Sequence, residues 1–126
     1  MALTFGTLSG SYLWPVTIPV PMDGGEIETL EFKGRFKRFK QKETEAILKR
    51  AVSANRAFMT GSEPSDSDTD LGIAPEVMIG WEDMPGDSGT VPYTAEGMEQ
   101  LLSYGGAARA IVEAWNESLN GKKAKN

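Results

Sequence analysis

Residues 81–115 read WEDMPGDSGTVPYTAEGMEQLLSYGGAARAIVEAW, and this stretch organises the rest of the chain. It begins at a tryptophan, continues through a turn rich in Gly and Pro, and ends in apolar residues at helical spacing. Thr94 is a suitable N-cap for a helix over residues 95–103, which a Gly-Gly pair ends. A last helix is predicted over residues 107–119, where apolar side chains recur on one face. We interpret the stretch as a rigid C-terminal unit.

The segment that precedes the turn, residues 73–84, is compatible with a short helix that has a proline near its first turn. The turn contains Gly86-Asp87-Ser88-Gly89, the tetrapeptide that surrounds the nucleophile of chymotrypsin-like serine proteases. That mechanism needs an imidazole to accept the serine proton, and the chain has no histidine. We therefore interpret the tetrapeptide as a connector without chemistry.

Aromatic side chains are concentrated in the same C-terminal stretch, at Trp81, Tyr93, Tyr104 and Trp115. Such residues usually belong to the core, but they are also enriched where a partner's apolar surface is bound, because they bury a large area with few rotatable bonds. We expect both tryptophans in the core and one tyrosine at an interface.

Composition limits the class of protein. With 126 residues, of which 40% are hydrophobic, the chain is expected to form one domain over 1–126 around a single core. It has no cysteine and no histidine, which removes disulfides, thiolate metal sites, the cysteine nucleophile and the commonest general base. No signal peptide or membrane-spanning run is present. We expect a cytoplasmic protein that is not an enzyme and uses no cofactor.

Charge is divided unevenly along the sequence, although the net charge is only −5. Residues 1–56 carry nine basic and six acidic side chains, residues 57–108 carry ten acidic and no basic ones, and residues 109–126 carry four basic and two acidic ones. A solvated surface explains such runs, and so does head-to-tail pairing with another copy or a charged partner.

The N-terminal third predicts a flexible arm over 1–12 and then a β-hairpin over 14–37. Period-two alternation places apolar side chains on one face and Glu, Lys and Arg on the other. Prolines within the first strand cannot donate to a ladder, so that strand is expected at a sheet edge. The predicted inward-facing side chains are Val16, Ile18, Val20, Leu30, Phe32 and Phe36.

The rest of the chain is predicted to be mainly helical. A long amphipathic helix is expected over 42–59, an acidic loop over 60–72, a helical C-terminal unit over 73–119 and a basic tail over 120–126. The predicted fold class is therefore α+β, with an N-terminal antiparallel hairpin packed on a body of about four helices.

Two charged motifs suggest ligands but fit them poorly. Asp66, Asp68 and Asp70 have the spacing of an EF-hand loop, but Leu71 replaces the required glycine and Val77 the bidentate glutamate, which favours a solvated loop. The basic strip over 33–42 has interleaved phenylalanines and suits single-stranded nucleic acid, but the alternation places Phe32 and Phe36 on the face opposite Lys33, Arg35 and Lys37. Nucleic-acid binding is thus disfavoured.

The order of these segments resembles the tail assembly chaperones of long-tailed, siphovirus-type bacteriophages and prophages. The resemblance covers roughly residues 14–119: the hairpin WPVTIPVPMDGGEIETLEFKGRFKRF, a helix, an acidic connector, a segment that ends at Trp81, the entry Val91-Pro92-Tyr93-Thr94-Ala95-Glu96, and a closing helix that finishes near Trp115. Its strength lies in the order and spacing of several weak motifs.

The resemblance implies a non-enzymatic protein that binds the long tape measure protein and keeps it soluble until tail-tube subunits polymerise around it. It also implies self-association, a longer second product made by a ribosomal frameshift near the end of the shorter one, for which Asn120-Gly121-Lys122-Lys123 is the candidate position, action in the cytoplasm of the bacterial host and absence from the mature virion. We expect the hairpin and the helix over 42–59 to form the working surface, with these candidate partner-binding residues: Val16, Ile18, Val20, Phe32, Phe36, Ile47, Phe58 and Tyr104.

Two alternative functions stay open at this stage. A tail structural component, such as a tube or terminator protein, is expected to contain more strand and to form rings or polymers by itself. A small regulatory module that binds nucleic acid through the basic strip is expected to show salt-dependent affinity for DNA or RNA.

Overall fold

A computed structural model describes residues 3–121 of the chain. Within this part, the protein has an N-terminal antiparallel sheet and four α-helices, which confirms the predicted α+β class. Its elements are β1 (Ser11–Pro21), β2 (Ile27–Lys37), α1 (Gln41–Met59), α2 (Asp70–Val77), β3 (Met78–Glu82), β4 (Pro85–Gly86), β5 (Gly89–Thr90), α3 (Ala95–Leu102) and α4 (Ala107–Leu119).

The N-terminal hairpin forms as the alternation predicts. β1 and β2 pair antiparallel over their whole length, with Val16 opposite Phe32 and Trp14 opposite Gly34. The two strands turn at Asp23–Gly25, where Gly24 and Gly25 have positive φ. Because the strand order is β1-β2-β3, the proline-containing β1 is an edge strand, as expected.

The helix predicted over 73–84 is wrong from Met78 onward. α2 ends at Val77, and the chain continues directly into β3, which pairs antiparallel with β2 and makes the sheet three-stranded. A short apolar run such as Val77 to Trp81 fits a buried strand as well as a buried helix, so periodicity alone does not decide between them. The free edge of β2 decides for the strand, because its backbone groups need partners.

One core lies between the inner face of the sheet and the helices α2 and α4. α4 packs on β1 and on α2, so the apolar face of the hairpin is covered and is not the accessible working surface that the sequence predicts. The largest side chains that are fully buried there come from every layer: Val16, Phe36, Ile73, Val77, Met78, Ile111 and Trp115.

The C-terminal unit confirms several local predictions. The Thr94 hydroxyl accepts a hydrogen bond from the Gly97 backbone N–H (2.9 Å) and caps α3. Gly106 adopts a left-handed conformation (φ 88°) before α4. Trp81 and Trp115 are buried as expected. The Gly-Asp-Ser-Gly tetrapeptide forms the turn between the short strands β4 and β5, in agreement with its interpretation as a connector.

The boundaries of the predicted loops differ from the structure at three places. Ser11 and Tyr12 belong to β1 and not to the arm over 1–12. α2 begins at Asp70, inside the acidic loop predicted over 60–72, and a 3-10 turn at Asp66–Asp68 precedes it. Residues 1–2 of the arm and residues 122–126 of the basic tail lie outside the described residues. None of the helices in residues 3–121 is both long and apolar enough to span a bilayer.

Candidate functional site

The structure divides the candidate partner-binding residues into two groups. Five of them are buried together in the core, and their side chains have no surface to offer in this conformation: Val16, Ile18, Phe32, Phe36 and Ile47. The other three, Val20, Phe58 and Tyr104, are exposed. Of the exposed residues, Phe58 at the end of α1 shares a groove with Ile47. We therefore look for an accessible surface on α1.

α1 is a long helix that buries only a narrow stripe. Ile47 and Ala54, which are two turns apart, are its buried residues, and Ala51 between them is half-buried. The remaining large apolar side chains of the helix are exposed to solvent: Leu48, Val52, Phe58 and Met59. The apolar spacing of this helix is visible in the sequence, but Leu48 and Val52 are not among the predicted partner-binding residues. The width of the apolar face could have indicated that some of its side chains stay exposed, because the face is wider than one packing contact covers.

Two cavities lie beside α1 and α4. One has a volume of about 390 Å³ and is lined by side chains of α1, α4 and the start of α2. We call this cavity the α1–α4 trough. The other, about 490 Å³, is lined by the first turn of α1, the last turn of α4 and the adjoining ends of β1 and β2. Trp115 borders both cavities, but its side chain is buried.

The two cavities carry different charges. Asp68, Asp70 and Glu113 line the trough together with one cation, Arg109, which forms an ion pair with Glu113 (2.9 Å). Asp68 is paired with Arg50 (3.4 Å). Lys37 and Arg38 line the second cavity, which contains no carboxylate among its lining residues.

Aromatic side chains form the walls of the second cavity. The Arg38 guanidinium lies over the Tyr12 ring at 4.9 Å from its centroid, and the Lys37 ammonium lies over the Phe39 ring at 5.4 Å. Phe39 in turn contacts Trp115 edge-to-face. Cations on ring faces are held by the ring quadrupole, so both charges have a defined place beside this cavity.

Arg50 fastens α1 to the body of the protein. Its guanidinium donates to both carboxylate oxygens of Glu76 (2.7 and 3.3 Å), to Asp68 (3.4 Å) and to the Ser67 carbonyl oxygen. The hydrogen bonds to Glu76 raise the pKa of Arg50 above its usual value, although partial burial opposes the shift. Because these partners are distant in sequence, no local pattern predicted this cluster.

The basic strip and the acidic residues, which suggested nucleic acid and calcium as ligands, have other roles in the fold. Phe32 and Phe36 of the basic strip are buried, which confirms that they point away from the cations. Lys33 and Arg35 form ion pairs across the sheet with Asp83 and Glu82, respectively. Within residues 3–121, no group of three acidic side chains is placed so that it could hold a metal ion.

Comparison with known proteins identifies a family. A family model described as phage tail assembly chaperone matches residues 1–126, the whole chain. No curated protein and no solved structure matches the chain.

Proposed function

The chain belongs to the phage tail assembly chaperone family, and on this premise we propose that it binds the tape measure protein and keeps it soluble during tail assembly. The role is non-enzymatic: the protein holds an apolar partner and releases it when the tail tube forms around that partner. It acts in the cytoplasm of the bacterial host and is absent from the mature virion. Its other partners are further copies of itself and a longer frameshifted form.

The observation that carries this proposal is the exposed apolar face of α1 beside an open trough. A protein without a partner rarely leaves large apolar side chains in a contiguous patch, because their burial is favourable by about 25 cal/mol per Å². Val52 and Phe58 are 55% and 65% exposed, and both line the trough. Such a surface suits the apolar stripe of a partner helix.

Co-expression with the tape measure protein tests the proposal. The variant Val52→Ser/Phe58→Ser removes the exposed apolar surface, and we expect it to fold normally but to reduce the soluble, co-purifying tape measure protein by roughly tenfold, which corresponds to about 1.4 kcal/mol of binding free energy. The matched control is Ile27→Ser/Val91→Ser, which removes exposed apolar side chains (61% and 42% exposed) outside the trough. This control should leave co-purification unchanged.

Two results would contradict the proposal. In the first, the tape measure protein is equally soluble with and without this chain and does not co-purify with it. In the second, electron microscopy shows that the purified chain forms rings or tubes by itself, which is the behaviour expected of a tail structural component.

A further inference from the structure

We propose that two copies of this chain associate about a two-fold axis, with the tip of the β1–β2 hairpin of each copy docked in the second cavity of the other. The hairpin tip is the segment over residues 19–29, and the second cavity is the one that Lys37 and Arg38 line. The inference deepens the proposed function and rests on it only for the statement that copies associate. The choice of the two surfaces follows from the fold.

The hairpin extends beyond the core that it helps to form. Ile18 and Phe32 are the last buried residues of the two strands towards the turn, and every residue from 19 to 29 is exposed. The tip nevertheless carries three large apolar side chains, Val20, Met22 and Ile27, which are 37%, 46% and 61% exposed. A two-stranded ribbon without a covered face is only marginally stable in water, so a partner surface would stabilise this part of the hairpin.

The charge of the hairpin tip is entirely negative. Asp23, Glu26 and Glu28 lie in this segment, which contains no basic residue. None of the three forms an ion pair within residues 3–121. A surface that receives the tip must therefore offer positive charge next to apolar side chains.

The second cavity has this combination. Lys37 and Arg38 line it, and neither forms an ion pair in the part of the chain that the structure describes. Arg38 Nε donates a hydrogen bond to the Ser9 carbonyl oxygen (2.8 Å), and the terminal nitrogens of the guanidinium are available for a carboxylate. The cavity also has apolar lining residues: Leu13, Trp14, Phe39 and Leu119.

The tip cannot reach the second cavity of its own chain. Glu28 and Lys37 are nine residues apart along β2, which corresponds to about 30 Å at 3.3 Å per residue. Two copies with antiparallel hairpins bring each tip to the cavity of the other, so that both contacts form in one closed dimer. A two-fold dimer of this kind is the commonest symmetric assembly, and it leaves neither a tip nor a cavity unused.

Sedimentation equilibrium of the full-length protein, without the tape measure protein, tests the inference. At about 50 mM salt, we expect the average mass to rise with concentration from one copy to two and to stop there. At about 0.5 M salt, the association should be roughly tenfold weaker, because screening weakens the attraction between exposed charges.

Two charge-reversed variants identify the surfaces that meet. Glu26→Lys/Glu28→Lys makes the tip basic, and Lys37→Glu/Arg38→Glu makes the cavity acidic. Each variant alone places like charges at both contacts and should dimerise at least about tenfold more weakly. An equimolar mixture of the two should recover the dimer, because the basic tip meets the acidic cavity and the acidic tip meets the basic cavity.

Matched controls carry the same changes in net charge elsewhere. Lys49→Glu/Arg56→Glu changes the outer face of α1, away from the second cavity, and should dimerise as the unchanged protein does. Glu96→Lys/Glu99→Lys changes exposed positions of α3 and should do the same.

Circular dichroism establishes that each variant folds. If the cavity variant does not fold, the tip variant and its α3 control still decide, because the tip substitutions affect only exposed side chains.

Four results would overturn the inference. The unchanged protein stays a single copy up to about 1 mM; both charge-reversed variants dimerise as well as the unchanged protein; their mixture fails to recover the dimer; or the mass grows beyond two copies, which a closed two-fold dimer does not permit.

These outcomes are separate from the proposed binding of the tape measure protein. Loss of the dimer with retained co-purification removes the hairpin contact alone. A dimer without co-purification removes the tape measure protein as the partner.

Discussion

Gly34 shows how one missing side chain permits the core to close. It lies in the middle of β2, opposite Trp14 on one side and Trp81 on the other. A Cβ at this position would lie 2.8 Å from the sulfur of Met78 and about as close to the Phe36 ring, so a larger residue cannot be added without movement of core side chains. The packed structure thus gives a physical reason for a glycine at this position of the strand.

We predict that Gly34→Ala lowers the free energy of unfolding by about 1–3 kcal/mol, because overpacking displaces buried side chains. Gly80→Ala on the neighbouring strand is the control. Its Cβ would meet only the Cβ of Arg35 at an ordinary 3.7 Å, and its effect should be within about 0.5 kcal/mol. Urea denaturation measures both. An equal loss in the two variants would show that the close contacts at Gly34 do not cause the effect.

Arg50 is the residue on which the attachment of α1 depends. Replacement by Met leaves Asp68 and Glu76 without their cation, and we predict a loss of about 1–2 kcal/mol in the free energy of unfolding. Arg50→Lys should lose about half as much, because an ammonium cannot reproduce the bidentate contact with Glu76. Arg109→Met, which removes an exposed pair within α4, should cost less than about 0.5 kcal/mol.

The sign of the pKa shift sets the pH dependence of this contribution. A raised pKa stabilises the fold at every pH below the usual value of the group, and the stability is lost only as the pH rises through the raised pKa. The titration of Arg50 should therefore not change the difference in free energy of unfolding between Arg50→Met and the unchanged protein at neutral pH. A loss of the difference as the pH rises from neutral to mildly alkaline would contradict the assignment.

At the scale of elements, β1 is protected against pairing with further strands. Pro15, Pro19 and Pro21 share one parity along the strand, so their nitrogens face the same side. Because pairing with β2 is unbroken over the whole strand, that side is the open edge. Three donors are thus missing from the edge, which is one way in which natural sheets avoid aggregation.

We predict that Pro15→Thr/Pro19→Thr restores these donors and causes the folded protein to self-associate through β1. Light scattering should show concentration-dependent growth in particle size, while circular dichroism of the dilute protein stays unchanged. Pro92→Thr, in the extended segment before α3, is the control and should have no effect on particle size. Growth of the same extent in both variants would indicate general loss of solubility and not edge pairing.

At the scale of the whole molecule, stability is distributed unevenly. The sheet, α2 and α4 share one core, whereas α1 contributes two buried side chains and is attached through Arg50. Elements with few buried apolar contacts open at a lower free energy than the global unfolding. Because α1 makes few buried contacts with the rest of the core, the trough beside it stays open. The weak attachment of α1 and the accessibility of its apolar side chains therefore have the same cause.

Native-state hydrogen exchange should resolve this distribution. We predict that backbone amides of α1 exchange through local opening, at a free energy below that of the β2 amides, which should exchange only on global unfolding. Arg50→Met should lower the exchange free energy of the α1 amides further. It should lower the exchange free energy of the β2 amides only by the change in global stability. If α1 and β2 exchange at the same free energy, α1 belongs to the single cooperative unit and is not a separable element.

The sequence by itself determined the elements that local rules govern. Alternation at β1 and β2, helical spacing at α1 and α4, the Thr94 cap and the glycine pair before α4 all act between neighbours in the chain, and each element formed where its pattern indicated. The whole-chain order of these segments also sufficed for the resemblance to the family that the chain belongs to.

The tertiary structure alone decided which apolar residues are buried and which remain accessible. Met78 to Glu82 became a strand because β2 had a free edge, and Val16, Phe32 and Ile47 became core because α4 and α2 cover them. Leu48, Val52 and Phe58 remained exposed because no described element packs against that side of α1. Burial depends on what lies across the interface, and periodicity along a single chain records the width of an apolar face but not the neighbour that covers it.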